Sequence, residues 1–125
     1  MKKLLYSLLV CLVTGCSSLK NVWVAQYDNN EYALVAKVRT IAQTAKTCDV
    51  GTVSDLYFVT KELSNYSQYL PRNQQNNELN KDLLKLVKEL YDKEPPIGQV
   101  YCKAKLNIIE KSAEQIQQVT GSNPR

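Results

Sequence analysis

Apolar residues recur at alternating intervals of four and three in four separate stretches of this chain. The rows are Leu34, Val38, Ile41, Ala45 and Cys48; Leu56, Val59, Leu63, Tyr66 and Leu70; Leu79, Leu83, Leu86 and Leu90; and Cys102, Leu106, Ile109, Ala113 and Ile116. That interval keeps one face of a 3.6-residue helix apolar, so each row predicts an amphipathic helix that must bury its seam. No stretch sustains the apolar-polar alternation of a half-buried strand. Helix-breaking residues separate the rows: Asp49-Val50-Gly51, then Pro71 and the amide-rich residues 72–77, then Pro95-Pro96 and Gly98.

Start signals agree with the rows. Asp28 stands as N-cap of the first helix with Glu31 three residues later, the spacing of a capping box that satisfies two orphaned backbone donors. The second helix is expected to start at Thr52, with Asp55 favourable in its first turn. The third runs from the amide-rich loop to just before Pro95, and the fourth over residues 99–119. Short connections favour antiparallel neighbours, so the expected fold is all-α, a small up-down-up-down four-helix bundle, with two separate helical hairpins as the alternative. At 125 residues only one core is affordable in chain length. The helical domain is placed at residues 28–120 and residues 121–125 are expected to fray.

The N-terminal end reads differently. Lys2 and Lys3 precede ten apolar or small residues, 4–13, too few to span a bilayer permanently but suited to an export signal. The run ends in Val13-Thr14-Gly15-Cys16, which resembles the lipobox of bacterial and phage-encoded lipoprotein precursors. That resemblance implies cleavage before Cys16, so that residues 1–15 are a signal peptide, and acylation of Cys16 with palmitate-like chains. Two or three long acyl chains, at about 0.8 kcal/mol per buried methylene, hold a protein on a bilayer almost permanently. With Ser17 rather than Asp following the Cys, the resemblance also implies the outer membrane, or the plasma membrane in a Gram-positive cell. Residues 16–27 then form a lipidated tether.

With Cys11 discarded and Cys16 lipidated, Cys48 and Cys102 remain as one even pair in a compartment where disulfides persist. In the up-down-up-down order Cys48 ends the first seam and Cys102 begins the fourth, at the same end of the bundle, so the two are expected to be bonded.

Composition narrows the function. The chain contains no His, which removes the commonest general base and metal ligand. Two cysteines alone cannot assemble an ordinary structural zinc site, and phosphate-binding glycine loops are lacking, so no metal and no cofactor are expected. Without Lys2 and Lys3, fourteen basic residues stand against twelve acidic ones and are scattered, so no nucleic-acid partner is expected. Asp49 and Asp55 are the only acid pair worth weighing for glycan cleavage, and a turn residue beside a first-turn acid explains them better. The expected class is non-enzymatic.

Aromatic residues carry the recognition reading. Trp23, the only Trp, lies in the tether; Phe58 and Tyr69 share a stripe on the second helix, while Tyr57 points more nearly away. Phe58 and Tyr69 belong either to a wide core face or to an exposed contact patch. Trp23, Phe58 and Tyr69 are the partner-binding candidates of an envelope interaction module facing the periplasm and engaging an envelope protein. Two alternatives share the same features: a lysis lipoprotein resembling the outer-membrane subunit of phage spanin pairs, and an inhibitor of an envelope enzyme.

Overall fold

A computed structural model describes residues 25–125, which form four helices: α1 (Asn29–Thr44), α2 (Val50–Gln68), α3 (Gln74–Tyr91) and α4 (Gln99–Gly121). The expected signal peptide, Cys16 and Trp23 lie outside the described residues. Asp28 starts α1 by accepting the Glu31 N–H at 2.9 Å. Asp49 starts α2: one carboxylate oxygen accepts the Thr52 N–H at 2.8 Å, and the other accepts the Thr52 and Thr47 hydroxyls. These bonds hold its carboxyl below the ordinary aspartate range. Asp49 is therefore a cap, and α2 begins two residues earlier than Thr52.

Backbone packing closes a ring: α1 lies against α2 and α4, and α3 lies against α2 and α4, with no close diagonal pair. The α1–α4 contact is the one that two separate hairpins would lack, so the fold is the up-down-up-down bundle. The disulfide joins Cys48, just beyond α1, to Cys102 in the first turn of α4, with Cα atoms 5.8 Å apart.

The core confirms the α4 row, in which Cys102, Leu106, Ile109, Ala113 and Ile116 are all buried. It corrects the other registers. In α1 the central row is Glu31, Val35, Val38 and Ala42, with Leu34, Ile41, Ala45 and Cys48 half-buried beside it. In α3 it is Asn76, Asn80, Leu83, Val87 and Leu90, with Leu79 and Leu86 to one side. A helix that touches two neighbours buries a stripe wider than a two-residue seam, and the larger apolar residues here cover the joints rather than the axis. Each of the fully enclosed Leu56, Leu63, Leu83, Leu90 and Ile109 contributes about 1.5–3 kcal/mol by burial.

The bundle has two unlike ends. Around the disulfide the interior is apolar, with Val53, Leu56, Val87 and Leu90. At the opposite end it is polar: Glu31, Ser64, Ser67, Asn73, Asn76, Asn80 and Thr120 are buried together with no exposure above a few per cent. Both ends of the described segment lie here. The Tyr27 N–H donates to the Pro124 carbonyl at 2.9 Å, and the Arg125 guanidinium lies 4.6 Å from the Tyr27 ring centroid. The tail expected to fray is held by these contacts. Gly121 fits closely beside Tyr32, where a Cβ would meet the ring at 3.1 Å.

Candidate interaction surface

The outer face of α2 follows from its inner one. Val53, Leu56, Val59, Thr60, Leu63, Ser64 and Ser67 turn toward the core, which leaves Phe58, Glu62 and Asn65 on the far side with Tyr69, the αR residue that caps the end of α2, again at intervals of four, three and four. Phe58 is 59 % exposed and Tyr69 83 % exposed, so of the two placements left open by the sequence, the core one is excluded and both side chains face outward. Together with Lys61 and Tyr66 they line an open groove, which continues past Glu62 and Tyr66 to Asn30, Ala33, Leu34 and Lys37 of α1.

This surface is held rigidly from behind. The Tyr66 hydroxyl donates to the Asp28 carboxylate at 3.0 Å and accepts from the Asn30 amide at 3.2 Å, pinning α2 to the start of α1. Tyr57, expected to point away, instead stacks on Tyr91 of α3 with ring centroids 4.1 Å apart and is half-buried. Stacking two flat rings over the α2–α3 joint removes apolar area of both from water. Phe58 packs edge-on against Tyr57 at 5.7 Å. An exposed aromatic residue backed by a fixed one keeps its area available for a partner with little side-chain ordering cost.

Three further features were not legible as sites. At the disulfide end, exposed Val50, Pro95 and Pro96 gather with half-buried Ile97 around Cys48 and Cys102. In the sequence these residues stand among the helix breaks, where Val50 and Ile97 were the available signal. Between α3 and α4 an apolar cleft of about 260 Å³ is lined by Leu79, Leu83, Leu86, Ile116 and Val119.

The third feature is the buried carboxylate of Glu31, 0 % exposed. Its two oxygens accept from the Asn73 amide at 2.5 Å and the Asn76 amide at 3.0 Å, and Asn73 also donates to the Ser67 carbonyl. Burial pushes its carboxyl above the usual range; the two amide bonds oppose that shift without cancelling it, and Asp28 adds to it. The capping box is thus half made: Asp28 receives the Glu31 N–H, but the Glu31 side chain turns inward instead of back to residue 28. The amide-rich residues 72–77, read as a loop, supply core groups and the start of α3.

No protein-family model matches this chain, and no curated protein or solved structure shows significant similarity to it. The site reading therefore rests on geometry. Glu31 has no second acid or nucleophile bonded to it and no exposed surface, an arrangement suited to holding helices rather than to turning over a substrate. Asp49 has both oxygens engaged in its cap. Among the described residues, no group of three or more His, Cys, Asp or Glu could hold a metal ion. None of the helices there is long and apolar enough to cross a membrane.

Proposed function

We propose that this protein is a lipid-anchored lipoprotein of the bacterial envelope, tethered through Cys16 to the outer membrane, whose bundle acts as a non-enzymatic protein-interaction module. The observation that carries the module reading is the exposed aromatic stripe Phe58–Tyr69 on a helix fixed to α1 through Tyr66 and to α3 through Tyr57. Isolated exposed apolar residues need no explanation, but two aromatics bracketing a groove on one rigid face match the composition of a binding hot spot. The anchor reading is supported by the Lys2-Lys3, apolar-run and Val13-Thr14-Gly15-Cys16 pattern. Tyr27 pairs with Pro124 at the polar-cored end, so a tether ending there would leave the α2 face, along the side of the bundle, open to a partner.

Photocrosslinking in cells from positions 23, 58 and 69 of the lipidated protein tests the module: a dominant protein adduct at positions 58 and 69 is expected, and adducts with lipid alone would overturn it. Cys16→Ala tests the anchor separately, with release from the membrane fraction expected and unchanged retention counting against lipidation.

A further inference from the structure

The outer face of α2 has a symmetry that its chemistry makes visible. Read from either direction it runs aromatic, polar, polar, aromatic at intervals of four, three and four: Phe58, Glu62, Asn65, Tyr69. At 100° per residue these four lie within a stripe about 60° wide, with Lys61 at its edge. The midpoint falls between Leu63 and Ser64, both buried, so the stripe is centred on the best-anchored part of the helix.

From this we infer that the partner seated on the face is a second copy of this chain, with α2 docked antiparallel against α2 about a two-fold axis level with residues 63 and 64. This deepens the interaction-module reading and rests on it. A two-fold interface must be complementary to itself, so each group needs its partner at the mirrored position along the helix. Here the half-turn sets Phe58 opposite the partner's Tyr69 and Glu62 opposite the partner's Asn65, and each pairing occurs twice. Aromatic meets aromatic, and a carboxylate meets an amide that can donate to it, with no like charges directly opposed.

The remaining chemistry favours this occupant over a foreign one. Lys61 and Glu62 make the patch formally neutral, so it offers no field to steer a partner of either sign, whereas self-docking needs none. Tyr66 is engaged with Asp28 and Asn30 and stays out of the contact, while the four stripe residues make no cross-helix hydrogen bond among the described residues. The stripe spans twelve residues, about 16 Å of helix, and so buries well under the roughly 800 Å² per partner of a standard interface. Association is therefore weak in dilute solution; because the two-fold sets the two tether-bearing ends at opposite ends of the pair, copies on one membrane meet with α2 lying along the bilayer, where tethering raises the local concentration.

Cysteine trapping tests the register. Full-length lipidated E62C and N65C are co-expressed with distinguishable tags and treated with a mild oxidant in membranes. The mixed 62-to-65 disulfide dimer is expected at least five-fold above either homodimer, and adding Phe58→Glu to both chains should reduce it at least ten-fold. Residues 58, 62 and 65 are exposed, and unchanged helical circular dichroism with Cys48–Cys102 intact confirms that the variants fold. A random-collision ratio of the three dimers, or a dominant homodimer, overturns the antiparallel register. Absence of any dimer overturns self-docking; in that event a foreign protein adduct from position 58 leaves the module reading standing, and absence of any adduct removes both.

Discussion

Replacing Glu31 gives the sharpest probe of how the bundle is held at its polar end. In Glu31→Ala the amides of Asn73 and Asn76 lose the carboxylate oxygens that accept from them at 2.5 and 3.0 Å, inside a region closed to solvent. A stranded buried donor costs about 1–3 kcal/mol, and relief of the carboxylate's own burial offsets part of the sum, so a net loss of about 2–4 kcal/mol at pH 7 is expected. That is a large fraction of the stability of a domain this size. Because the folded-state pKa is raised, the native chain retains a proton that the unfolded chain releases once pH exceeds the ordinary glutamate value of about 4.3. The Glu31 contribution is therefore fully present below that value. It falls as pH rises through the folded pKa, and the decline is complete above it. Glu31→Gln keeps one acceptor, costs less than the alanine change, and removes this pH-dependent component. Urea unfolding by circular dichroism between pH 4 and 8, read as the difference between wild type and each variant, measures both effects. A Glu31→Ala change below about 0.5 kcal/mol at pH 7, or a wild-type minus Gln difference that grows more favourable to wild type with pH, would refute the reasoning.

Opening the Cys48–Cys102 loop, whose ends are 54 residues apart, removes about 4 kcal/mol by the chain-entropy estimate, so Cys48→Ala/Cys102→Ala should lower Tm by on the order of 15–30 °C; a fall of under 5 °C would show that the unfolded chain is little constrained by it. Asn80 is fully buried, and neither its amide nitrogen nor its oxygen has a hydrogen-bond partner among the described residues, so Asn80→Leu should stabilise by about 1–3 kcal/mol in urea titrations. A loss there would mean that the amide is satisfied in solution. Arg72 adopts φ 58° in the turn between α2 and α3, and Arg72→Gly should be neutral to stabilising by up to about 1 kcal/mol, whereas Arg72→Val should destabilise.

The helices and their breaks were legible because apolar spacing and Pro, Gly and Asp positions are local signals. The α4 register was legible for a further reason, since every residue of its buried row before Thr120 is apolar. In α1 and α3 the register shifted where polar residues occupy the axis. Glu31 is buried by groups 42 and 45 positions away, and hydropathy scores all three partners as solvent-facing. The same bias misplaced α2. Counting Tyr66 and Leu70 as seam, and leaving Thr60, Ser64 and Ser67 out of it, rotated the inferred inner face, which left Phe58 and Tyr69 ambiguous and sent Tyr57 outward. Small hydroxyls pack well inside a bundle when they bond back to their own helix, as Thr60 does to the Leu56 carbonyl at 2.6 Å. The disulfide was readable from parity and topology together, while the apolar hollow at the disulfide end required the fold, because Val50 and Ile97 meet only once the two connections are side by side.

The closure of α1 onto α4 by a covalent link at one end and by Tyr27 and Pro124 at the other has a mechanical consequence. Tension between the two chain ends first parts the Tyr27–Pro124 contact and peels α1 from α4, then passes through the Cys48–Cys102 bond. Residues 49–101, the whole α2–α3 hairpin, lie inside the covalent loop and bear none of it. From residue 25 to residue 125 the bonded chain extends to about 160 Å, against about 350 Å once the sulfurs are reduced. A pull on either terminus thus stops at a fixed length, with the helix that carries Phe58 and is capped by Tyr69 shielded from the force.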